Sequence, residues 1–311
     1  MILCCGEALI DMIPEPTLQG AQGFVPHCGG AVMNTAVALG RLGAPTGLFT
    51  GLSDDMFGQQ LVAHLRASHV DLSLAAVSSR PSTLAFVRLE DGQASYSFLD
   101  ENSAGRMLQL ADLPIVPAQV SALFFGGISL AVEPAAETYA TLLEREKRDR
   151  VVMLDPNIRE AFIADPDRYR ARLDRMLAQT DILKVSDEDL DWLIPQSMPS
   201  AEKAASLLAR GPNLVVLTRG SRGVVAFLSN GTRVEVAAEV VDVVDTVGAG
   251  DTFNAGLLHK LHALNFLDLH ALPQLDPETL KRAMAFATNC AGISVSRRGA
   301  TPPWATELQR S

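Results

Sequence analysis

One stretch constrains this chain more than any other: Asp245-Thr-Val-Gly-Ala-Gly-Asp251. A valine-rich run, Glu239 to Val244, precedes it and reads as a buried strand. Thr252 to Leu264 follows it, with apolar residues at helical spacing. A turn between a strand and a helix start is thus built from small residues. Gly248 and Gly250 permit backbone conformations and close approaches that a Cβ would block. The free N–H groups of a helix's first turn, aided by the helix dipole, favour an anion in front of them. An acid, Asp251, stands at that same point. A carboxylate beside an anion site has a use if it takes the proton of a hydroxyl that attacks a phosphate. Two other glycine-rich phosphate sites do not fit. The dinucleotide pattern G-x-G-x-x-G would need a glycine where Phe253 stands, and no Gly-Lys-Ser/Thr of a P-loop occurs.

A second glycine-led helix start lies near the other end of the chain. Gly29 and Gly30 open an alanine-rich run through Asn34 and Leu39 that Gly43 stops. Small residues there let a ligand approach the helix N-terminus, and an amide such as Asn34 can both donate to and accept from it. Before this run, Met1 to Cys5 reads as a central strand, and Asp11 follows in the polar stretch after it. In open α/β sheets ligands bind at the carboxyl ends of strands.

These two stretches resemble the signatures of the ribokinase-like (PfkB) family of carbohydrate kinases. The resemblance implies a three-layer α/β/α domain with a mostly parallel sheet. It implies that Asp251 is the general base and that the N–H groups from Val247 through Gly248, Ala249 and Gly250 form the anion hole. It also implies sugar ligands at Asp11, Gly29, Gly30 and Asn34.

The rest of the chain reads as alternating strands and helices, with one interruption. Thr83–Glu90 and Gln93–Leu99 flank Asp91-Gly92, a strong hairpin turn. By resemblance this hairpin belongs to a β lid over the sugar, formed from about 12–28 and 80–102, within a single domain spanning 1–311. Tyr96 and Phe98 point to the face opposite Ser97, and Phe98 is taken as a substrate contact. Asp155-Pro-Asn157-Ile-Arg159 resembles a motif of fructokinase-like and 2-keto-3-deoxygluconate kinase-like members. Arg159 is expected to grip either the moving phosphate or a substrate carboxylate. Thr218-Arg-Gly220-Ser-Arg-Gly223 resembles the family's nucleotide loop. Lys184, Ser186, Thr288 and Asn289 complete the expected nucleotide contacts, the last two against adenine.

The resemblance also implies ATP as the donor, with Mg2+ and, in potassium-activated members, K+. For magnesium the family carries Asn-x-x-Glu where this chain has Ser186-x-x-Asp189, with Glu188 next to it, so the role of organising the metal through water falls on those acids. The potassium site would use the segments holding Asp245, Val247, Ser294, Arg297 and Gly299. The expected acceptor is a primary hydroxyl of fructose, with 2-keto-3-deoxygluconate as the alternative. A non-catalytic sugar-binding protein on the same scaffold is disfavoured by the intact Asp251.

Composition limits the remaining partners. With 311 residues, 48% hydrophobic and 20% charged, the chain has ample core for a globular fold. A net charge of −10 argues against nucleic acid. No apolar run is long enough for a bilayer, and the start reads as a strand without a basic leader. Cys4, Cys5, Cys28 and Cys290 lack C-x-x-C spacing, so free thiols in a reducing cytoplasm are expected. The projecting lid, with edges left unpaired, is expected to close a homodimer.

Overall fold

The structure, a computed structural model, describes residues 1–90 and 93–308; the expected turn at Asp91-Gly92 lies outside the described residues. The first three strands are β1 (Ile2–Cys5), β2 (Leu9–Pro16) and β3 (Gln22–Gly29). Next come β4 (Thr46–Phe49), β5 (Gly51–Ser53), β6 (Val70–Asp71), β7 (Ala76–Ser78), β8 (Leu84–Glu90) and β9 (Gln93–Leu99). The second half adds β10 (Ala122–Gly126), β11 (Val151–Asp155), β12 (Ile182–Ser186), β13 (Leu214–Thr218), β14 (Val224–Leu228) and β15 (Arg233–Val236).

Nine of these strands form one sheet in the order β15-β14-β13-β12-β11-β10-β1-β4-β6. From β13 to β6 every pairing is parallel, and β14 and β15 add an antiparallel edge. The parallel strands are short apolar runs, such as Ala-Leu-Phe-Phe-Gly in β10, because both faces of such a sheet are covered. Alternation along β1 sends Ile2 and Cys4 to one core and Leu3 and Cys5 to the other.

The first core is closed by α1 (Ala31–Arg41), α2 (Met56–Ala67) and, from the end of the chain, the pair Ala249–Ala263 and Pro277–Val295. The second is closed by α3 (Ala135–Glu146), α4 (Pro166–Leu177), α5 (Asp187–Leu193) and α6 (Ser200–Leu208). In chain order the late pair are α7 and α8. The expected three layers, with a mostly parallel sheet in the middle, are present.

The order of strands fixes where a ligand can sit. After β1 the chain builds outward through β4 and β6, then crosses back to β10 and continues the other way. Such a reversal leaves a crevice beyond the carboxyl ends of β1 and β10. Asp155, Ser186 and Thr218 end β11, β12 and β13 on that same edge.

A separate four-stranded sheet, β3-β2-β8-β9, is built from the two stretches expected to form the lid. Only the β2–β8 pairing is parallel. Strand β2 begins at Leu9, ahead of the expected boundary, so the sheet runs straight out of the loop that follows β1.

One expectation fails. Glu239 to Val244 is not a buried strand: Val240 is 100% exposed and Val243 63%. Strand β15 already ends the sheet at Val236, and among the described residues no strand pairs with the run. The backbone is instead pinned to the end of α8, where the Val295 carbonyl accepts from the amides of Val244 (2.8 Å) and Asp245 (3.2 Å). Val240, Val241 and Val243 are thereby left lining an open cavity.

Candidate active site

The two glycine-led helices meet at Asp251. Helix α7 starts after Gly248, which takes a left-handed conformation (φ 75°) that suits glycine. Helix α1 starts after Gly30. The helices pack together, and Asn34 Nδ2 on α1 donates to Asp251 Oδ2 at 2.9 Å. Thr35 Oγ1, fully buried, donates to the Asp251 carbonyl at 3.3 Å. Asp251 is only 8% exposed. Burial pushes its pKa up to about 7, and Asp155 and Glu7 add to the rise, while Asn34 and Lys184 oppose it. A carboxylate poised near neutrality at the head of a helix can take a hydroxyl proton at physiological pH. Of the turn amides expected in the anion hole, that of Val247 is taken by Asp245 Oδ1 at 3.0 Å, and that of Ala249 is held only by a long bond to the Thr246 carbonyl at 3.3 Å.

Asp11 lies on β2 opposite His27 of β3, against Gly29 just ahead of α1. Its carboxylate occupies the space that a side chain at Gly29 would need: a Cβ there would stand 2.1 Å from Oδ2. Burial raises the Asp11 pKa to about 6. Glu7, which the sequence reading passed over, organises the surroundings. Its Oε1 accepts from the amide of Ala31 at 3.0 Å, at the start of α1. Its Oε2 accepts from Ser129, beyond β10, at 3.2 Å. This buried carboxylate therefore bridges the crevice at the sheet's reversal and caps α1 from outside the helix.

On the other side of α7's first turn lies a cavity of about 510 Å3. Thr218, Gly220, Gly223, Gly250 and Thr288 line it, as expected of nucleotide contacts, together with Val240, Val241 and Val243 of the exposed valine run. Asn289, expected beside Thr288 against adenine, is not among its lining residues, because on α8 it points a helical step away. The Thr288 and Thr218 hydroxyls are turned to backbone carbonyls, Met284 at 2.9 Å and Val185 at 3.3 Å.

Lys184 is buried under the turn. A Cβ on Gly250 would lie 3.2 Å from its Nζ, which puts the ammonium against the first turn of α7. Burial works against that charge, but Asp155, Asp189 and Asp251 outweigh it, and the lysine pKa is held above its usual value. Lys184 Nζ donates to Asp155 Oδ2 at 3.0 Å, and Asn254 Nδ2 donates to the same oxygen at 2.7 Å. Neither Asp155 nor Asn254 stood out in the sequence as part of the site. The only sign of them was their place in the Asp-x-Asn-x-Arg and Gly-Asp-Thr-Phe-Asn stretches.

Ser186 and Asp189 cap α5 reciprocally. Asp189 Oδ2 accepts from the Ser186 amide and hydroxyl, and its Oδ1 accepts from the Ile158 amide at 2.8 Å. That leaves Glu188 as the exposed carboxylate of the pair. Among the described residues no group of three or more His, Cys, Asp or Glu could hold a metal by itself.

Asp245 joins the two segments expected to form the potassium site. Its Oδ1 accepts from Val247 N at 3.0 Å and its Oδ2 from Gly299 N at 2.8 Å. Ser294 is fully buried at the end of α8, and Arg297 is drawn away to Glu307 at 2.5 Å.

Two other expected sugar contacts, Phe98 and Arg159, have contacts of their own. Phe98 meets Phe162 edge-on, with ring centres 4.1 Å apart, at the wall of a second cavity of about 370 Å3 that also holds Arg106, Glu133 and Arg172. The arginines there are internally paired, Arg106 with Asp100 and Arg172 with Glu133. Arg159 is exposed and donates to the Ile158 carbonyl at 2.9 Å.

Comparison with known proteins adds to this geometry. Residues 1–307 match the model of the pfkB family carbohydrate kinases. The chain is 52% identical over 281 residues to a fructokinase of Rhizobium leguminosarum bv. trifolii, covering 90% of this chain and 86% of that one. Among solved structures, the ATP-bound fructokinase of Xylella fastidiosa superposes with a TM-score of 0.91 at 28% identity, over 99% and 97% of the two chains. A double-mutant fructokinase of Vibrio cholerae O395, in its fructose-, ADP- and potassium-bound form, gives 0.84 at 28%, over 96% and 93%.

Proposed function

The chain belongs to the pfkB family of carbohydrate kinases, and from that membership we propose that it transfers the γ-phosphoryl group of ATP to a primary hydroxyl of fructose. The observation that carries this reading is the buried Asp251. It stands in the first turn of α7, bonded to Asn34 at 2.9 Å and next to Gly250, which lines a nucleotide-sized cavity. In the reading, Asp11, Gly30 and Asn34 hold the sugar with one hydroxyl on Asp251. Asp251 takes that proton as the oxygen attacks. The amides of Gly248, Ala249 and Gly250 and the Lys184 ammonium meet the charge that develops on the phosphoryl oxygens. Closure of the four-stranded lid excludes water, which otherwise competes as acceptor.

Magnesium would enter with the nucleotide and neutralise phosphate charge, with Glu188 the acid placed to hold its water shell. Potassium, bound in the Vibrio cholerae relative, would find backbone carbonyls in the two loops that Asp245 ties together. The test is a coupled ADP-release assay with fructose, ribose and 2-keto-3-deoxygluconate. No sugar-dependent ADP release with any of them would remove the kinase reading.

Arg159 separates the two sugar readings. With fructose, which has no charge, Arg159 serves the phosphoryl group. Arg159→Lys should then lower kcat by about tenfold while the fructose KM stays within about threefold, since a flat two-pronged donor is lost mainly in the transition state. Steady-state kinetics with both sugars decide it. A wild-type preference for 2-keto-3-deoxygluconate, with the variant's defect confined to KM, would overturn fructose and leave the kinase standing.

A homodimer closed through the lid is part of the proposal. The turn and outer strand of that sheet expose Leu18, Phe24 and Val25, and β3 and β9 are its unpaired edges. Sedimentation at micromolar concentration, with and without fructose, should give twice the chain mass; a monomer in both conditions rejects the dimer. A reducing compartment, the cytoplasm, agrees with four free cysteines, three of them buried, and no described helix is long and apolar enough to cross a membrane. Recovery of the active protein outside the cytoplasm on fractionation would refute that placement.

A further inference from the structure

Helix α7 carries a second buried polar side chain one turn beyond the base. Asn254 is fully buried, and its amide reaches Asp155 Oδ2 at 2.7 Å. Lys184 reaches that same oxygen at 3.0 Å from β12. Neither Asp155 Oδ1 nor Asn254 Oδ1 has a hydrogen-bond partner among the described residues. The linkage between β11, β12 and α7 therefore passes through a single carboxylate oxygen. We propose that Asp155 and Asn254 are positioning residues that act through Lys184, clamping its ammonium beneath the anion turn and away from Asp251.

The physical need for a clamp follows from the lysine itself. Its ammonium is a compact charge on a flexible stem, and three carboxylates bear on it, Asp155, Asp189 and Asp251, of which Asp189 is already engaged by Ser186 and the Ile158 amide. Were the ammonium free to pair with Asp251, it would stabilise the ionised carboxylate and weaken it as a base. Held on Asp155 instead, and squared by Asn254 from the base's own helix, it is preorganised towards the position where phosphoryl charge grows. Because Asn254 follows Asp251 by one helical turn, any shift of α7 moves base and clamp together. The charged groups that bear on Asp251 are Asp155 on β11, Lys184 on β12 and Glu7 behind β1, with the neutral Asn34 facing it from α1.

This inference rests on the kinase reading, and a double-mutant cycle separates the two. Wild type, Asp155→Asn, Asn254→Ala, Lys184→Met and both pairs with Lys184→Met are assayed with ATP and fructose. Loss of Lys184 is expected to lower kcat by about 10²–10³, as removal of a preorganised donor does. Asp155→Asn should lower kcat by about tenfold or more with the fructose KM within about threefold. In the Lys184→Met background neither Asp155→Asn nor Asn254→Ala should cost anything further, because residues acting through one group are not additive. Asp155→Asn should also move the acid limb of the kcat/KM profile to lower pH, since it removes a like charge from Asp251 and leaves the ammonium unshared.

A packing role alone would lower thermal stability and leave the acid limb where it was. Additive losses in the double variants, or an unmoved acid limb, overturn the clamp. If Asp155→Asn does not fold, the Asn254→Ala cycle decides alone, by the same additivity criterion. A wild type without sugar-dependent turnover would instead remove the kinase reading beneath it.

Discussion

Asp251→Asn is expected to abolish turnover while leaving fructose bound. The amide keeps the shape of the side chain and a partner for Asn34, but it cannot accept the hydroxyl proton. Loss of a general base costs about 10²–10⁴ in rate, so kcat should fall by that factor with little change in fructose affinity measured by calorimetry. A kcat within a few-fold of wild type would rule Asp251 out as the base. The wild-type pH profile carries the same information: with a pKa near 7, kcat/KM should rise with pH through an acid limb centred at about neutrality.

Stability should run the opposite way. Folded Asp251 binds its proton more tightly than the unfolded chain does, because its pKa is raised from 3.8 to about 7. Its contribution is intact below the unfolded value and is lost as pH rises through the folded one. Asp251→Asn removes that penalty. The inactive variant should therefore melt several degrees above wild type at about pH 8 and close to it at about pH 4, a trade of stability for activity.

Gly127→Ala is expected to be strongly destabilising through the Glu7 carboxylate. Gly127 has φ 72°, and a Cβ there would lie 2.0 Å from Glu7 Oε1 and 2.5 Å from Oε2. Two costs combine. With ψ −166° the residue lies in a region that only glycine adopts readily, and alanine there costs about 1–3 kcal/mol. Displacing the Glu7 carboxylate also leaves the amides of Ala31 and Ser129 without their acceptor, at about 1–3 kcal/mol for each buried unpaired group. The loss should be at least about 3 kcal/mol in denaturant unfolding, a large part of a typical total. A variant that folds should bind fructose less tightly, because α1 has lost its anchor. A stability change below about 1 kcal/mol would show that Glu7 has room to move and does not hold the crevice together.

Much of this was legible in the sequence, for reasons that can be named. The parallel strands are short apolar runs, and each helix carries a stripe at helical spacing, so the layered fold followed from pattern. The helix starts at Gly30 and Gly248 followed from local chemistry, as did the strands flanking the lid hairpin. The valine run at 239–244 misled because strand propensity reports a side chain's fit to a half-buried surface. Here the valines have no sheet to pack on and stay exposed, three of them along the wall of a cavity. Glu7, Asp155 and Asn254 were missed because each works through a partner distant in sequence: Ala31 and Ser129 for Glu7, Lys184 for Asp155 and Asn254. No local pattern records such pairings. Asn289 failed by a single helical step from Thr288, a difference that a linear motif cannot resolve. Arg159 was legible as a residue but not as a placement, since an exposed guanidinium takes its position from what it binds.

The bare valine wall has a consequence for handling the protein. Glu239 to Val247 is a β-prone, largely exposed segment that continues from β15, the last strand of an open sheet edge. Such a segment is a template for intermolecular strand pairing. Exposed Asp242 splits the valines into two short pairs, the placement of a charge that guards against aggregation. A base seated in the cavity would cover the same side chains. Nucleotide-free protein is thus expected to self-associate more readily than the nucleotide-bound form, and Asp242→Val to worsen it; light scattering that shows no difference with or without ATP would reject that role for the valine wall.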